Sequence, residues 1–283
     1  MPLASIDALD LHYETHGLAG TPVLLIMGYT MPGRAWRFQV PALAARHRVC
    51  TFDNRGAGAT TAPPPPYAMA RLAADAALLL DHLGWADAHV VGVSMGGMVA
   101  QHLALDHRPR VRSLTLVATS AGGFWSRLPR PAGALHFLRG TFGPRSGRLD
   151  ATARLLFPPS FRASADPAWL REVLRHDFGT PPTPAGRKGQ LRAVFGHDTR
   201  RRLGALAGLP TLVIQPERDI LVRPRESLKL HALIPGSRLL PIPDAGHGLL
   251  RQAAEPINAA LLDHFAAADT ALARKHSHAP EFG

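Results

Sequence analysis

The chain contains a single cysteine, Cys50, among 283 residues. One thiol cannot close an intramolecular disulfide, and it supplies no thiolate cluster for a metal. Cys50 lies in the apolar run Arg48-Val49-Cys50-Thr51-Phe52, where it reads as a small buried hydrophobe of a strand. Lysine is almost missing too: Lys188, Lys229 and Lys275 are the only ones, so the basic charge is carried by arginine. No apolar run approaches the roughly 20 residues that a membrane-spanning helix needs. Met1-Pro2-Leu3-Ala4-Ser5-Ile6-Asp7 has neither the basic nor the apolar region of a secretory signal, which leaves a cytoplasmic protein as the expectation. Long charge runs are absent as well, which argues against extensive disorder.

What is present is apolar residue enough, 46%, for a substantial core, and a length that suits one large α/β domain or two small ones. The net charge of +11 is unevenly placed: residues 122–205 hold fifteen Lys or Arg against five Asp or Glu. The simpler reading is an arginine- and alanine-rich composition solvated on helical surfaces. The sharper one is an electrostatic preference for acidic substrates or partners. No interleaving of aromatic and basic residues and no nucleic-acid motif accompanies the charge, so a nucleic-acid partner is not expected.

Strand-like and helix-like segments alternate, as in a mostly parallel sheet with helices on both faces. A ribbon at 3–13 precedes the buried run Pro22-Val23-Leu24-Leu25-Ile26-Met27. Helical sequence follows at 35–45, then a strand at 48–52, a helix at 68–83 and a short strand at 89–93. A helix at 95–106 and a strand at 113–118 complete this half. The rhythm then breaks: residues 122–203 hold Pro and Gly clusters, many arginines and no clear strand. An interruption of that length is too long for a simple loop, and it predicts a helical lid over the C-terminal edge of the sheet. Strands resume at 210–214 and 237–242, and a helix is expected at 254–267. The core is thus read as 1–121 and 204–275, the lid as 122–203, and 276–283 as a disordered tail.

Gly92-Val93-Ser94-Met95-Gly96 follows a strand and opens a helix, the context that gives G-x-S-x-G its meaning. Such a turn projects the Ser94 hydroxyl above the sheet, and the small residues around it allow close backbone approach. A serine hydroxyl needs a base, and in this arrangement the order along the chain is Ser, then Asp or Glu, then His. Fifteen histidines are available. His247 is singled out because Asp244-Ala245-Gly246-His247-Gly248 directly follows the last strand. Asp219, just after the strand at 210–214, is the matching acid that would hold the imidazole tautomer. Glu217 is its nearest competitor, whereas Ala118-Thr119-Ser120-Ala121, after the preceding strand, offers no carboxylate. The amide of Met95, at a helix N-terminus, can face a developing oxyanion, and a second donor is expected from the loop after the first buried strand. There Gly28 permits a close turn and the amide of Tyr29 is the candidate donor. Gly28 is a candidate for lining a substrate pocket, and Phe124, Trp125 and His176 either line it from beneath the lid or form the lid's own core. His102 and His107 are five residues apart and fall on different faces of their helix, so no metal pair is expected.

Over nearly its full length the chain resembles the α/β-hydrolase superfamily, in its serine-nucleophile branch, and is most similar to 3-oxoadipate enol-lactonases and bacterial methylesterases. The matching segments are Phe52-Asp53-Asn54-Arg55-Gly56-Ala57-Gly58, the run from Gly92 to Gln101, and Gly246-His247-Gly248. The resemblance implies that Asp53 and Arg55 brace loops near the site. It also marks one departure, since Met27-Gly28 stands where relatives usually carry His-Gly. Together these features predict an esterase or lactonase with Ser94, His247 and Asp219 as catalytic residues, no metal or organic cofactor, and a small-molecule ester or lactone as substrate. Neither a membrane nor a nucleic acid is an expected partner, and the chain is expected as a monomer or homodimer. Perhydrolysis, carbon–carbon bond hydrolysis and a receptor that retains the triad are the alternatives, because fold alone does not choose among them.

Overall fold

A run that is apolar at every position, such as Pro22-Val23-Leu24-Leu25-Ile26, is stable as a strand only in a sheet covered on both faces. The protein, seen here in a computed structural model, describes residues 2–7, 9–178 and 182–277, without the side chains of Trp125, Arg127 and 275–277. Its strands are β1 (Leu3–Ile6), β2 (Leu9–His16), β3 (Pro22–Ile26), β4 (Arg48–Phe52), β5 (Ala88–Val93), β6 (Val111–Val117), β7 (Thr211–Pro216) and β8 (Arg238–Ile242). They form one sheet in the order β1-β2-β4-β3-β5-β6-β7-β8. The β1/β2 and β2/β4 pairs are antiparallel, and every later pair is parallel.

Side chains alternate across a strand, so each buried strand feeds two cores. Leu24, Ile26, Val90 and Leu114 pack on one face, while Val23, Leu25, Val91 and Leu212 pack on the other. Helices α1 (Val40–Ala44), α2 (Met69–His82) and α3 (Met95–Asp106) follow β3, β4 and β5 respectively. Leu72 and Leu79 of α2 and Val99 and Leu103 of α3 close the first core.

Between β6 and β7 run α4 (Pro131–Phe142), α5 (Arg145–Leu156), α6 (Pro159–Ser164), α7 (Pro167–Phe178) and α8 (Pro184–Gly196). The ends of this segment meet at a neck, where Gly122 bridges Asp198 and the Thr199 amide donates to the Ala121 carbonyl at 2.9 Å. It carries a small apolar cluster of its own around Ala153, Leu156, Phe157 and Leu174. After β7 come α9 (Pro224–Leu233), α10 (Leu249–Gln252) and α11 (Ala254–Ser277). Leu43, Leu249, Leu261 and Phe265, from α1, α10 and α11, close the second core.

Three details differ from expectation. The helix expected at 35–45 is a 3₁₀ turn, Gly33–Trp36, followed by the short α1. Pro41 cannot donate a backbone hydrogen bond and suits a first helical turn, so the helix begins beside it. Helix α9, opened by Pro224, was not expected at all. Helix α11 passes Ala267 and reaches Ser277 because neither glycine nor proline interrupts it before Pro280. It therefore takes in the first two residues of the expected tail, and residues 278–283 lie outside the described part. Among the described residues no helix is long and apolar enough to cross a membrane.

Candidate active site

In a sheet of parallel strands the loops beyond the strands' C-terminal ends gather at one edge, and ligands bind there. Ser94 lies between β5 and α3 with φ 55° and ψ −121°, a left-handed conformation that costs a non-glycine residue of order 1–3 kcal/mol. The surroundings hold it there. The Ser94 amide donates to the Val117 carbonyl at 2.9 Å, and the Thr119 hydroxyl donates to the Ser94 carbonyl at 2.7 Å. A Cβ on Gly92 would lie 2.3 Å from the Gly96 carbonyl oxygen, and one on Gly96 would lie 2.1 Å from that of Ile26. Glycine at both positions is thus a packing requirement of the turn.

His247 follows β8 in a loop beneath the end of α5. The flanking glycines are needed because a Cβ on Gly248 would lie 2.5 Å from Phe157 Cε1 and one on Gly246 would lie 2.4 Å from the Leu156 carbonyl oxygen, which accepts the Gly248 amide at 2.8 Å. Its Nε2 lies 3.0 Å from Ser94 Oγ, and its Nδ1 lies 2.6 Å from Asp219 Oδ2. Asp219 is fully buried, and its Oδ1 accepts the amides of Leu221 at 2.8 Å and Val222 at 3.0 Å. With Asp219 ionised, Nδ1–H donates to it and Nε2 is left to accept the Ser94 hydroxyl proton. Glu217, the competing acid, is exposed.

The loop after β3 crosses directly over the serine: a Cβ on Gly28 would lie 3.2 Å from Ser94 Cβ. Thr30 has φ 57° and donates its amide to Gln190 Oε1 of α8 at 2.7 Å. Gln190, fully buried, donates in turn to the Arg55 carbonyl at 2.8 Å, and Asn54 Nδ2 donates to the Met27 carbonyl at 2.9 Å. These amides hold the loop where Met27 replaces the expected histidine. Met95 opens α3, where a backbone N–H has no acceptor within the helix. Burial pushes the Tyr29 phenol up to about 12, against the opposing pull of Arg187, so the phenol stays neutral. It donates to the Arg187 carbonyl at 3.3 Å. Asp53 accepts the Gly33 amide at 2.6 Å and the Ala59 amide at 2.8 Å, and Arg55 grips Asp75 with two bonds of 2.9 and 2.7 Å. Both are braces.

A cavity of about 180 Å³ opens on Ser94, His247, Gly28 and Tyr29. Phe137 of α4, Leu149 of α5, Phe178 of α7 and Arg187 of α8 form its far wall. His176 does not face it: the imidazole bonds Asp177 at 2.9 Å, and Phe178, two residues on, supplies the wall instead. The side chain of Trp125 lies outside the described residues. Gln190, Arg148 and Arg187 join the site although no sequence pattern marks them, because their placement depends on how α5 and α8 pack. Among the described residues, no group of three histidine, cysteine, aspartate or glutamate side chains could hold a metal ion.

Comparison with known proteins agrees with this architecture. The sequence profile of the alpha/beta hydrolase fold matches residues 21–253, and the chain belongs to that family. A provisionally named carbamate hydrolase, RutD, of Azorhizobium caulinodans is 33% identical over 93% of this chain and 97% of its own length. A provisionally named non-heme bromoperoxidase, BpoC, of Mycobacterium tuberculosis is 34% identical over 91% of this chain and 98% of its own. The enol-lactonase of Burkholderia xenovorans LB400 superposes with a TM-score of 0.82 at 26% identity, covering 94% of this chain and 100% of that one.

Proposed function

We propose that the protein is a serine hydrolase that cleaves a carboxylic ester or lactone of a small molecule through an acyl-enzyme. The observation that carries this reading is the continuous relay Ser94–His247–Asp219, with contacts of 3.0 and 2.6 Å at the mouth of a cavity. Ser94 Oγ attacks the carbonyl carbon while His247 Nε2 takes its proton, and Asp219 stabilises the resulting imidazolium. The amides of Tyr29 and Met95 receive the oxyanion, each contributing about 3–4 kcal/mol to the transition state. His247 then protonates the leaving oxygen. Water, deprotonated by the same imidazole, attacks the acyl-enzyme, and collapse returns the serine. No step calls for a metal or organic cofactor.

The segment 122–203 serves as a lid over a core of 1–121 and 204–275, since its helices close the cavity from above. The names of the relatives support a hydrolase acting on a small molecule, and the carbamate and peroxidase names add carbamates and peroxide to the substrates worth trying. The test is turnover of a panel of p-nitrophenyl esters, methyl esters, lactones and carbamates by wild type and Ser94→Ala. Activity on at least one ester or lactone that vanishes in the variant is expected. Activity that survives in Ser94→Ala would overturn the mechanism.

A further inference from the structure

Gln190 belongs to α8, in the segment between β6 and β7, yet both of its side-chain bonds are made to the core. Its Oε1 accepts the Thr30 amide at 2.7 Å, and its Nε2 donates to the Arg55 carbonyl at 2.8 Å. The side chain is fully buried, so a partner lost on either side leaves a polar group with no water to replace it. Gln190 lines no part of the cavity on Ser94. It reaches instead the loop after β3, one residue beyond Tyr29.

A peptide unit is planar, so fixing the Tyr29–Thr30 unit through the Thr30 amide restricts the unit before it, which carries the Tyr29 N–H. Thr30 is left-handed, with φ 57°, a conformation that persists only where the surroundings hold it. The same helix holds the preceding residue as well, since the Tyr29 phenol donates to the Arg187 carbonyl at 3.3 Å. Arg187 and Gln190 are three residues apart and share a face of α8. Glycines bring that helix against the core. A Cβ on Gly186 would lie 2.0 Å from the Gly56 carbonyl oxygen, and one on Gly189 would lie 2.4 Å from Tyr67 Cδ2. At this distance a glutamine spans the loops after β3 and β4 together. Met27, at the start of the first loop, has no side-chain N–H or O–H with which to brace it.

We propose that Gln190 is a positioning residue for the reaction: through it α8 sets the Tyr29 amide at the oxyanion position, so transition-state stabilisation at Ser94 depends on a helix outside the sheet. The proposal rests on the serine-hydrolase reading, with Tyr29 as a donor. Gln190 touches neither Ser94 nor the cavity, and its loss acts through the loop. An oxyanion donor works only within about 2.7–3.1 Å of the charge, so a small drift of the loop removes it.

The test is kcat and KM for p-nitrophenyl acetate in the full chain carrying Gln190→Met, which keeps the volume and neither bond. There kcat should fall by about 10²-fold while KM changes by about threefold at most, because the cavity wall is intact. Gln190→Glu should regain activity to within about tenfold of wild type: its buried carboxyl stays neutral, accepts from Thr30 and donates to Arg55. Hydrogen exchange of residues 27–31 should quicken in Gln190→Met and not in Gln190→Glu, with circular dichroism unchanged in both. An unchanged kcat, a loss confined to KM, or equal losses in the two variants would sink the proposal. Labelling of wild-type Ser94 by a fluorophosphonate reads the other premise separately. A chain that neither takes the label nor turns over the ester would strike the hydrolase reading, and exchange quickened by Gln190→Met would still leave α8 as the holder of the loop.

Discussion

Around Ser94 the packing leaves no room for a single added carbon at Gly92 or Gly96, whereas the helices above it present Leu135, Leu138 and Phe142 of α4 to solvent. The two regions meet at one cavity but are built differently. The sheet edge positions its side chains through backbone: carbonyls in contact with glycines, amides donated to Asp219, a strained serine held by β6. The segment from α4 to α8 has a small apolar cluster and is tied down by polar contacts, among them Gln190 to Thr30 and Asp177 to Arg37 and Arg251. A reacting group displaced by an ångström loses much of its rate, and a rigid frame suits it. Recognition tolerates, and can use, a surface that is cheaper to rearrange.

This contrast can be broken at several points. The largest effect is expected from Asp219→Asn, which preserves shape but favours the wrong imidazole tautomer. On any ester that the wild type hydrolyses, kcat should fall by about 10⁴-fold with the fold intact by circular dichroism. A loss below tenfold would move the chemistry away from the sheet edge.

Next is Gly96→Ala, whose added carbon would lie 2.1 Å from the Ile26 carbonyl oxygen. Urea denaturation should show a loss of about 3 kcal/mol. Its partner is Gly147→Ala on α5, where nothing lies within 4 Å of the added carbon. There the helix gains an alanine, and a rise of about 0.5 kcal/mol is expected, the smallest effect of the set. Equal responses at the two glycines would erase the distinction between the regions.

Acid falls between these extremes, and it acts on the core. Burial lowers His89 to about 3 and His264 to about 4, with Asp269 opposing the shift at His89. Both stay neutral in the folded chain while their unfolded counterparts take up protons near pH 6.5. Stability is therefore fully present above pH 6.5 and declines as pH falls toward the folded values, by about 2 kcal/mol per histidine between pH 6.5 and 5. Urea midpoints at pH 7 and pH 5 measure the slope, and His89→Gln should flatten it. An unchanged slope in that variant would place the acid sensitivity elsewhere.

The legible parts of the molecule were those governed by local pattern. Strand β4 and helix α3 match their expected limits, since an uninterrupted apolar run and a G-x-S-x-G turn each leave one register. Sequence order placed the acid after β7 but left Glu217 as a competitor to Asp219; the structure buries Asp219 and leaves Glu217 exposed. The pocket was less legible. From sequence His176 could line a pocket or belong to the interior of the helical segment, and its orientation on α7 turns it to Asp177. Gln190 carried no signal at all, because its role exists only where α8 crosses the loop after β3.

Sequence by itself determined the α/β order, the turn at Ser94 and the positions of the three residues that meet there, because each is written in contiguous spacing: apolar runs, glycines at fixed offsets, a histidine after the last strand. Only the tertiary structure decided which arginines face the cavity, which carboxylates neutralise them and what holds the loop over the serine. Those outcomes depend on pairs distant along the chain, such as Asp177 with Arg251 and Thr30 with Gln190. A contact between distant residues is selected by how helices pack, and local spacing carries no record of it.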